Sequence, residues 1–178
     1  MSVQVLGHAP EFNAPALVGR EFKNISLRDY THAGKWVVLF FYPKDFTFVC
    51  PTEIVAFNDR VDDFADRDAV VVGASTDTVN SHLGWVKSDE RLADLKYPII
   101  GDVKKEVARA YGVLFEEAGI ALRGTFIIDP SGKLQWMSVN SLDVGRNVDE
   151  VLRTLEALQT GGLCACGWKE GDENLKPA

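Results

Sequence analysis

Hydrophobic positions along this chain fall into a few unbroken runs, separated by stretches in which apolar residues recur at helical spacing. Trp36-Val37-Val38-Leu39-Phe40-Phe41-Tyr42 is continuous and rich in β-branched and aromatic residues, which predicts a strand buried on both faces. Pro43 closes it, because proline has no N–H for a central ladder. Ile54, Phe57, Val61 and Phe64 then repeat with a helical period and predict one helix behind Cys50-Pro51. Ala69 to Ser75 is a second apolar strand, and Val79, His82, Leu83 and Val86 mark the next helix, with Thr78 as its N-cap. Tyr97-Pro98-Ile99-Ile100 reads as a brief strand whose proline points to an edge. Val103, Val107 and Ala110 or Tyr111 suggest a short helix ended by Gly112. Arg123 to Asp129 is the third buried strand, and Pro130-Ser131-Gly132 turns it into Leu134 to Asn140 as an antiparallel hairpin. Val148, Val151, Leu152, Leu155 and Leu158 stripe a last helix. Asn147 and Glu150 start it in the manner of a capping box, and Gly161-Gly162 ends it. Ahead of Lys35, Gly7, Pro10, Pro15, Gly19 and Gly34 exclude long helices, leaving a short hairpin over Ala16 to Ile25 and a turn from Ser26.

The order is β-α-β-α, a smaller strand and helix, then β-β-α. Parallel strands joined by right-handed crossovers, followed by a hairpin and a helix, form a thioredoxin-like α/β arrangement. It carries an N-terminal hairpin extension and a C-terminal tail. The division expected is 1–160 for the α/β body and 161–178 for the tail, within one domain-sized unit of 178 residues.

A formal net charge of −7 argues against nucleic acid or an anionic membrane as main partners. No run reaches the roughly 18 apolar residues that a membrane span needs. The start, Met1-Ser2-Val3-Gln4-Val5, lacks the basic and apolar regions of a secretory signal. Three cysteines form an odd set. Without a signal they fit a reducing cytoplasm, and functional thiols more than a disulfide framework.

Cys50 is the first candidate for chemistry. A strand-to-helix loop delivers it to a helix N-terminus, where unpaired N–H groups favour thiolate over thiol. Pro51 suits the first helical position, and the residue before a proline is steered away from the α region. Thr47 stands three residues earlier, where its hydroxyl could bond to the sulfur or to an incoming oxygen. Arg123, heading an apolar strand, would favour the thiolate and bind a polar oxygen. By themselves Glu53, His82, Trp85 and Arg146 read as ordinary helix and loop residues. In the tail, Cys164 and Cys166 lack the two-residue gap of zinc sites, and only His8, His32 and His82 are available to complete a ligand set. A mobile exposed thiol for exchange with another sulfur fits better.

Together these residues resemble a typical two-cysteine peroxiredoxin, of the bacterial alkyl hydroperoxide reductase type. Phe40-Phe41-Tyr42-Pro43-Lys44-Asp45-Phe46-Thr47-Phe48-Val49-Cys50-Pro51-Thr52-Glu53 contains the Pro-x-x-x-Thr-x-x-Cys signature in full. Ser75-Thr76-Asp77, His82 to Trp85, Arg123 to Asp129 and Val144-Gly145-Arg146 extend the likeness over nearly the whole chain. The resemblance implies a thiol peroxidase that reduces hydrogen peroxide and organic hydroperoxides in antioxidant defence, without metal or other cofactor. It implies that Cys50 is the peroxidatic cysteine and passes through a sulfenic acid. Thr47 and Arg123 would align the O–O bond, Pro43 would shield the sulfur, and Glu53 and Arg146 would orient Arg123. Cys164 falls on the resolving position when Gly167-Trp168 is taken as the anchor. A disulfide to Cys50 of a partner subunit, an obligate homodimer and a ring, with a decamer expected, are implied as well. A flavoprotein disulfide reductase, a thioredoxin-like protein and a dedicated adaptor all remain open as the external reductant.

The tail departs from the family pattern at Ala165 and Cys166, where proline and alanine are usual, so Cys166 stands as an auxiliary thiol without an assigned role. The Gly-Gly-Leu-Gly insertion of peroxide-sensitive relatives is absent before Tyr97, as is their terminal Tyr-Phe helix. Two other classes compete. A general thiol–disulfide oxidoreductase would need a second cysteine near Cys50, where Thr47 and Glu53 stand instead. A ring-forming chaperone or a peroxide sensor could share the same chain.

Overall fold

The computed structural model describes residues 3–177. Its contacts divide the chain into two compact units, Met1–Arg146 and Asn147–Ala178. The first unit is built on a seven-stranded sheet. Its strands are β1 (Asn13–Val18), β2 (Glu21–Ser26), β3 (Trp36–Phe41), β4 (Ala69–Ser75), β5 (Ile99–Gly101), β8 (Arg123–Ile128) and β9 (Leu134–Asn140). They lie in the order β2-β1-β5-β4-β3-β8-β9, and β6 (Leu114–Phe115) pairs separately with β7 (Ile120–Ala121). β3 runs parallel to β4, from Trp36 opposite Ala69 to Phe41 opposite Ala74. On its other side it is antiparallel to β8, with Leu39 opposite Phe126. The mixed sheet with crossover helices is the thioredoxin-like α/β arrangement expected from the sequence.

The unbroken apolar run of β3 is explained by its neighbours. Val37 to Tyr42 have no exposed surface, as a strand in mid-sheet requires. Gly73 in β4 matters here, because a Cβ at that position would sit 3.2 Å from the Phe40 ring. Phe40 stacks on Phe57 with ring centroids 4.2 Å apart, which fixes the helix after β3 against the strand.

Two sequence expectations change here, and one pair of strands was not anticipated. The helix read through Phe64 is broken at Arg60 (φ −104°, ψ 3°) into α2 (Cys50–Asp59) and α3 (Val61–Ala65). Asn58 turns its amide outward near the break, to Asp94 O and Lys96 N. β5 lies between β1 and β4 and not at an edge. Its proline is tolerated because Pro98 precedes the strand and offers only its carbonyl, to Gly73 N at 2.9 Å. The β6–β7 hairpin has two residues per strand, too few to leave a periodic pattern.

Between these strands, α1 (Leu27–Thr31) starts from a full capping box on Ser26 and Asp29. α4 (Val79–Ser88) starts from Thr78, which accepts from Ser81 N, and α5 (Glu106–Ala110) precedes Gly112 at φ +69°. The second unit holds α6 (Val148–Gln159) and the tail. Asn147 accepts from Glu150 N, while the Glu150 carboxylate binds Arg153 at 2.6 and 2.7 Å, so one half of the expected box forms. The sequence set the tail apart after residue 160. α6 groups with it because Arg153 Nη1 donates to Trp168 O at 2.8 Å and Cys164 Sγ reaches Ala157 O at 3.5 Å. Among the described residues no helix is long and apolar enough to cross a membrane.

Candidate active site

The carboxyl end of β3 runs into Tyr42 and the buried Pro43, and a loop then carries the chain to α2. That loop is pinned from beneath by Asp45. Its carboxylate accepts from Tyr42 Oη at 2.7 Å and Ser81 Oγ at 2.8 Å, and lies 2.8 Å from His82 Nδ1. The Asp45 amide donates to Asp77 Oδ2 at 3.0 Å, and Ser75 Oγ holds the same oxygen at 2.6 Å. His82 Nε2 faces the carbonyl of Ile100 at 3.1 Å, and since a carbonyl only accepts, that nitrogen carries a proton. Burial first, and then the Asp45 carboxylate, hold the Tyr42 phenol well above the ordinary tyrosine value, so it remains a donor.

Cys50 is the first residue of α2 and has no exposed surface. Pro51 is thus the second helical residue, one place later than expected. Cys50 is helical although it precedes a proline, a pairing that backbone sterics disfavour. Val49, the N-cap, makes no side-chain bond to the helix.

The start of β8 places Arg123 against this sulfur. Its Nη1 donates to Cys50 Sγ at 3.4 Å and to Glu53 Oε2 at 2.5 Å, one N–H for each, while Nε donates to Leu142 O at 2.8 Å. Glu53, one turn into α2, also accepts from Arg146 Nε at 2.8 Å, Nη2 at 3.1 Å and backbone N at 3.0 Å. Arg146 continues to Gly124 O at 2.9 Å and Phe41 O at 2.7 Å, and its guanidinium lies 5.1 Å from the Phe40 ring centre. The side chains of Glu53, Arg123 and Arg146 are 2%, 4% and 5% exposed. Two guanidiniums against one carboxylate leave an excess of positive charge beside Cys50 Sγ.

Cys50, Glu53, Arg123 and Arg146 therefore form one bonded cluster. Thr47 donates its hydroxyl to Lys44 O at 3.0 Å. Its proton is committed there rather than to the sulfur, and its oxygen is left as an acceptor. Cys164 and Cys166 belong to the other compact unit, where Cys164 is partly buried and Cys166 exposed. The supporting set Tyr42, Asp45, Ser75 and Asp77 carried no local signal of a role, apart from lying within stretches that resemble the family. Among the described residues no group of three or more His, Cys, Asp or Glu could hold a metal ion.

Comparison with known proteins agrees with this geometry. The AhpC/TSA family matches residues 5–137. The Bacillus subtilis protein YkuU is 53% identical over 180 residues, spanning 98% of this chain and all of its own. The reduced Plasmodium vivax 2-Cys peroxiredoxin superposes with a TM-score of 0.93 at 36% identity, over 98% of this chain and 93% of that one. Mycobacterium tuberculosis AhpC gives 0.85 at 41% identity, over 95% and 100%. A buried cysteine facing an arginine from across the sheet, within a match of this extent, makes the chain a member of the AhpC/TSA family: a peroxiredoxin, and so a thiol-dependent peroxidase.

Proposed function

We propose that Cys50 is the peroxidatic thiol and Cys164 the resolving one, acting on hydrogen peroxide and organic hydroperoxides. The observation that carries the reading is the Arg123 guanidinium bonded at once to Cys50 Sγ and Glu53. The thiolate attacks one peroxide oxygen, the O–O bond breaks, and the other oxygen leaves as water or alcohol after taking a proton. Cys50 becomes a sulfenic acid. Arg123 stabilises the charge on the breaking bond. The Thr47 oxygen accepts from the peroxide O–H, Pro43 keeps bulk water off the sulfur, and Glu53 with Arg146 position Arg123. Cys164 of a partner subunit then displaces hydroxide from the sulfenic acid, giving water and a Cys50–Cys164 disulfide. An external thiol reductant, whether a flavoprotein disulfide reductase, a thioredoxin-like protein or a dedicated adaptor, returns both thiols. The working form in this reading is a cytoplasmic homodimer assembled into a ring, with a decamer expected.

For Cys50 to meet another thiol, the first turn of α2 has to unwind. The uncapped Val49 leaves that turn without the side-chain bond that commonly holds a helix start. The test is peroxide consumption driven by dithiothreitol. Cys50→Ser is expected to show no turnover, and turnover that persists in that variant removes the assignment. Non-reducing electrophoresis after peroxide is expected to trap no Cys50-linked dimer in Cys164→Ser.

A further inference from the structure

The tail carries a second thiol that the cycle above does not use. Its local structure is specific. Trp168 N donates to Ala165 O at 3.1 Å, closing a turn whose corners are Cys166 and Gly167. Gly167 has φ +71°, a corner that glycine fills without strain. Trp168 is buried and anchors the turn, its carbonyl held by Arg153 Nη1 at 2.8 Å and its indole N–H donated to Asp172 O at 3.1 Å. Cys166 is thereby presented on the exposed corner. Cys164, one residue before the turn, is partly buried, with Thr160 Oγ1 3.3 Å from its sulfur and Ala157 O 3.5 Å away.

We propose that Cys166 is the electron-entry thiol: it takes Cys164 out of the Cys50–Cys164 disulfide, leaving a Cys164–Cys166 disulfide for an external dithiol to reduce. This rests on the proposed roles of Cys50 and Cys164. The Cys166 thiol gives its proton to solvent and its thiolate attacks Cys164 Sγ. The Cys164–Cys50 bond breaks as the Cys164–Cys166 bond forms, and Cys50 leaves as thiolate, so no net oxidation occurs. The dithiol then becomes a disulfide as the two tail thiols are restored.

Three observations favour the step. Attack from one residue away needs no encounter, which raises the effective thiol concentration far above that of any external reductant. Cys166 is exposed whereas Cys164 is partly buried, so an external dithiol meets Cys166 first. The leaving sulfur returns to the N–H of Arg123 and to a site with no exposed surface. A reductant that could not reach Cys50 there can reach an exposed tail corner, and a disulfide between such close cysteines is strained and readily reduced.

The experiment oxidises the whole chain with one equivalent of hydrogen peroxide, alkylates free thiols and maps tryptic peptides without reduction. Cys164 and Cys166 share the peptide from Thr154 to Lys169. The expected result is that peptide oxidised within itself and unalkylated, with Cys50 alkylated. In Cys166→Ser the Cys50–Cys164 link is expected to persist as a covalent dimer. Wild type that retains the Cys50–Cys164 link with Cys166 alkylated overturns the relay and leaves the peroxidase roles standing. A Cys50–Cys166 link overturns the relay and the choice of resolving thiol together, and peroxide consumption without any disulfide overturns both.

Discussion

Arg123 touches Cys50 Sγ, and its replacement by lysine separates charge from shape. An ammonium keeps the positive charge, yet it cannot reach Cys50 Sγ, Glu53 and Leu142 O together as the guanidinium does. We expect kcat/KM of Arg123→Lys to fall by about 10²–10³, the scale seen when one preorganised donor is lost. Peroxide consumption under excess dithiothreitol measures it, and an unchanged rate would show that charge alone suffices. In the proposed cycle Glu53 acts through Arg123 and Arg146, whose guanidiniums it binds, as a positioning residue. Glu53→Ala leaves two buried guanidiniums without their shared counter-ion, so stability should fall by roughly 3–5 kcal/mol. Urea denaturation reads that loss, and Glu53→Gln, which keeps an acceptor, should lose less. Cys50 and Arg123 were legible in the sequence because a strand-to-helix loop and a strand head are places where polar residues stand out. Glu53 was legible only through the family resemblance, since an acid in a first helical turn is ordinary by itself and its partner Arg123 lies 70 residues away.

At the scale of elements, the β3–α2 loop is held to α4 through the Asp45 carboxylate and to the end of β4 through that of Asp77. Asp45→Ala would strip the Tyr42 phenol, the Ser81 hydroxyl and His82 Nδ1 of their common acceptor. About 1–3 kcal/mol of stability is expected to be lost for each buried donor left without an acceptor. KM for peroxide should also rise, because Thr47 lies two residues further along the same loop. Asp45→Asn supplies an acceptor of the same shape and should recover part of both effects. A denaturation midpoint that does not move in Asp45→Ala would show that the loop is held elsewhere. The strands around this loop were readable because β3, β4 and β8 are unbroken apolar runs. Position within the sheet was not: Pro98 suggested an edge, whereas β5 is flanked on both sides because the proline stops short of the ladder. Asp45 left no pattern at all, since it lies between residues of irregular backbone, with Phe46 at φ +55°.

The whole molecule divides its sulfur chemistry between two compact units, with Cys50 in one and both tail thiols in the other. In the proposed cycle a sulfenic acid at Cys50 has two fates: capture by a tail thiol, or reaction with a second peroxide to a sulfinic acid. Which one prevails depends on how fast the first turn of α2 opens relative to the second oxidation. That turn starts from an uncapped Val49, and an absent cap is worth about 1 kcal/mol. Opening should therefore be frequent and capture efficient. Wild-type protein cycling at high peroxide with dithiothreitol is expected to retain Cys50 as thiol or disulfide, while Cys164→Ser accumulates Cys50 sulfinic acid at the same peroxide concentration. Intact-mass spectrometry of the two proteins distinguishes the fates, and wild type that gains sulfinic acid as readily as the variant would mean that the α2 turn opens too slowly for the tail to protect it.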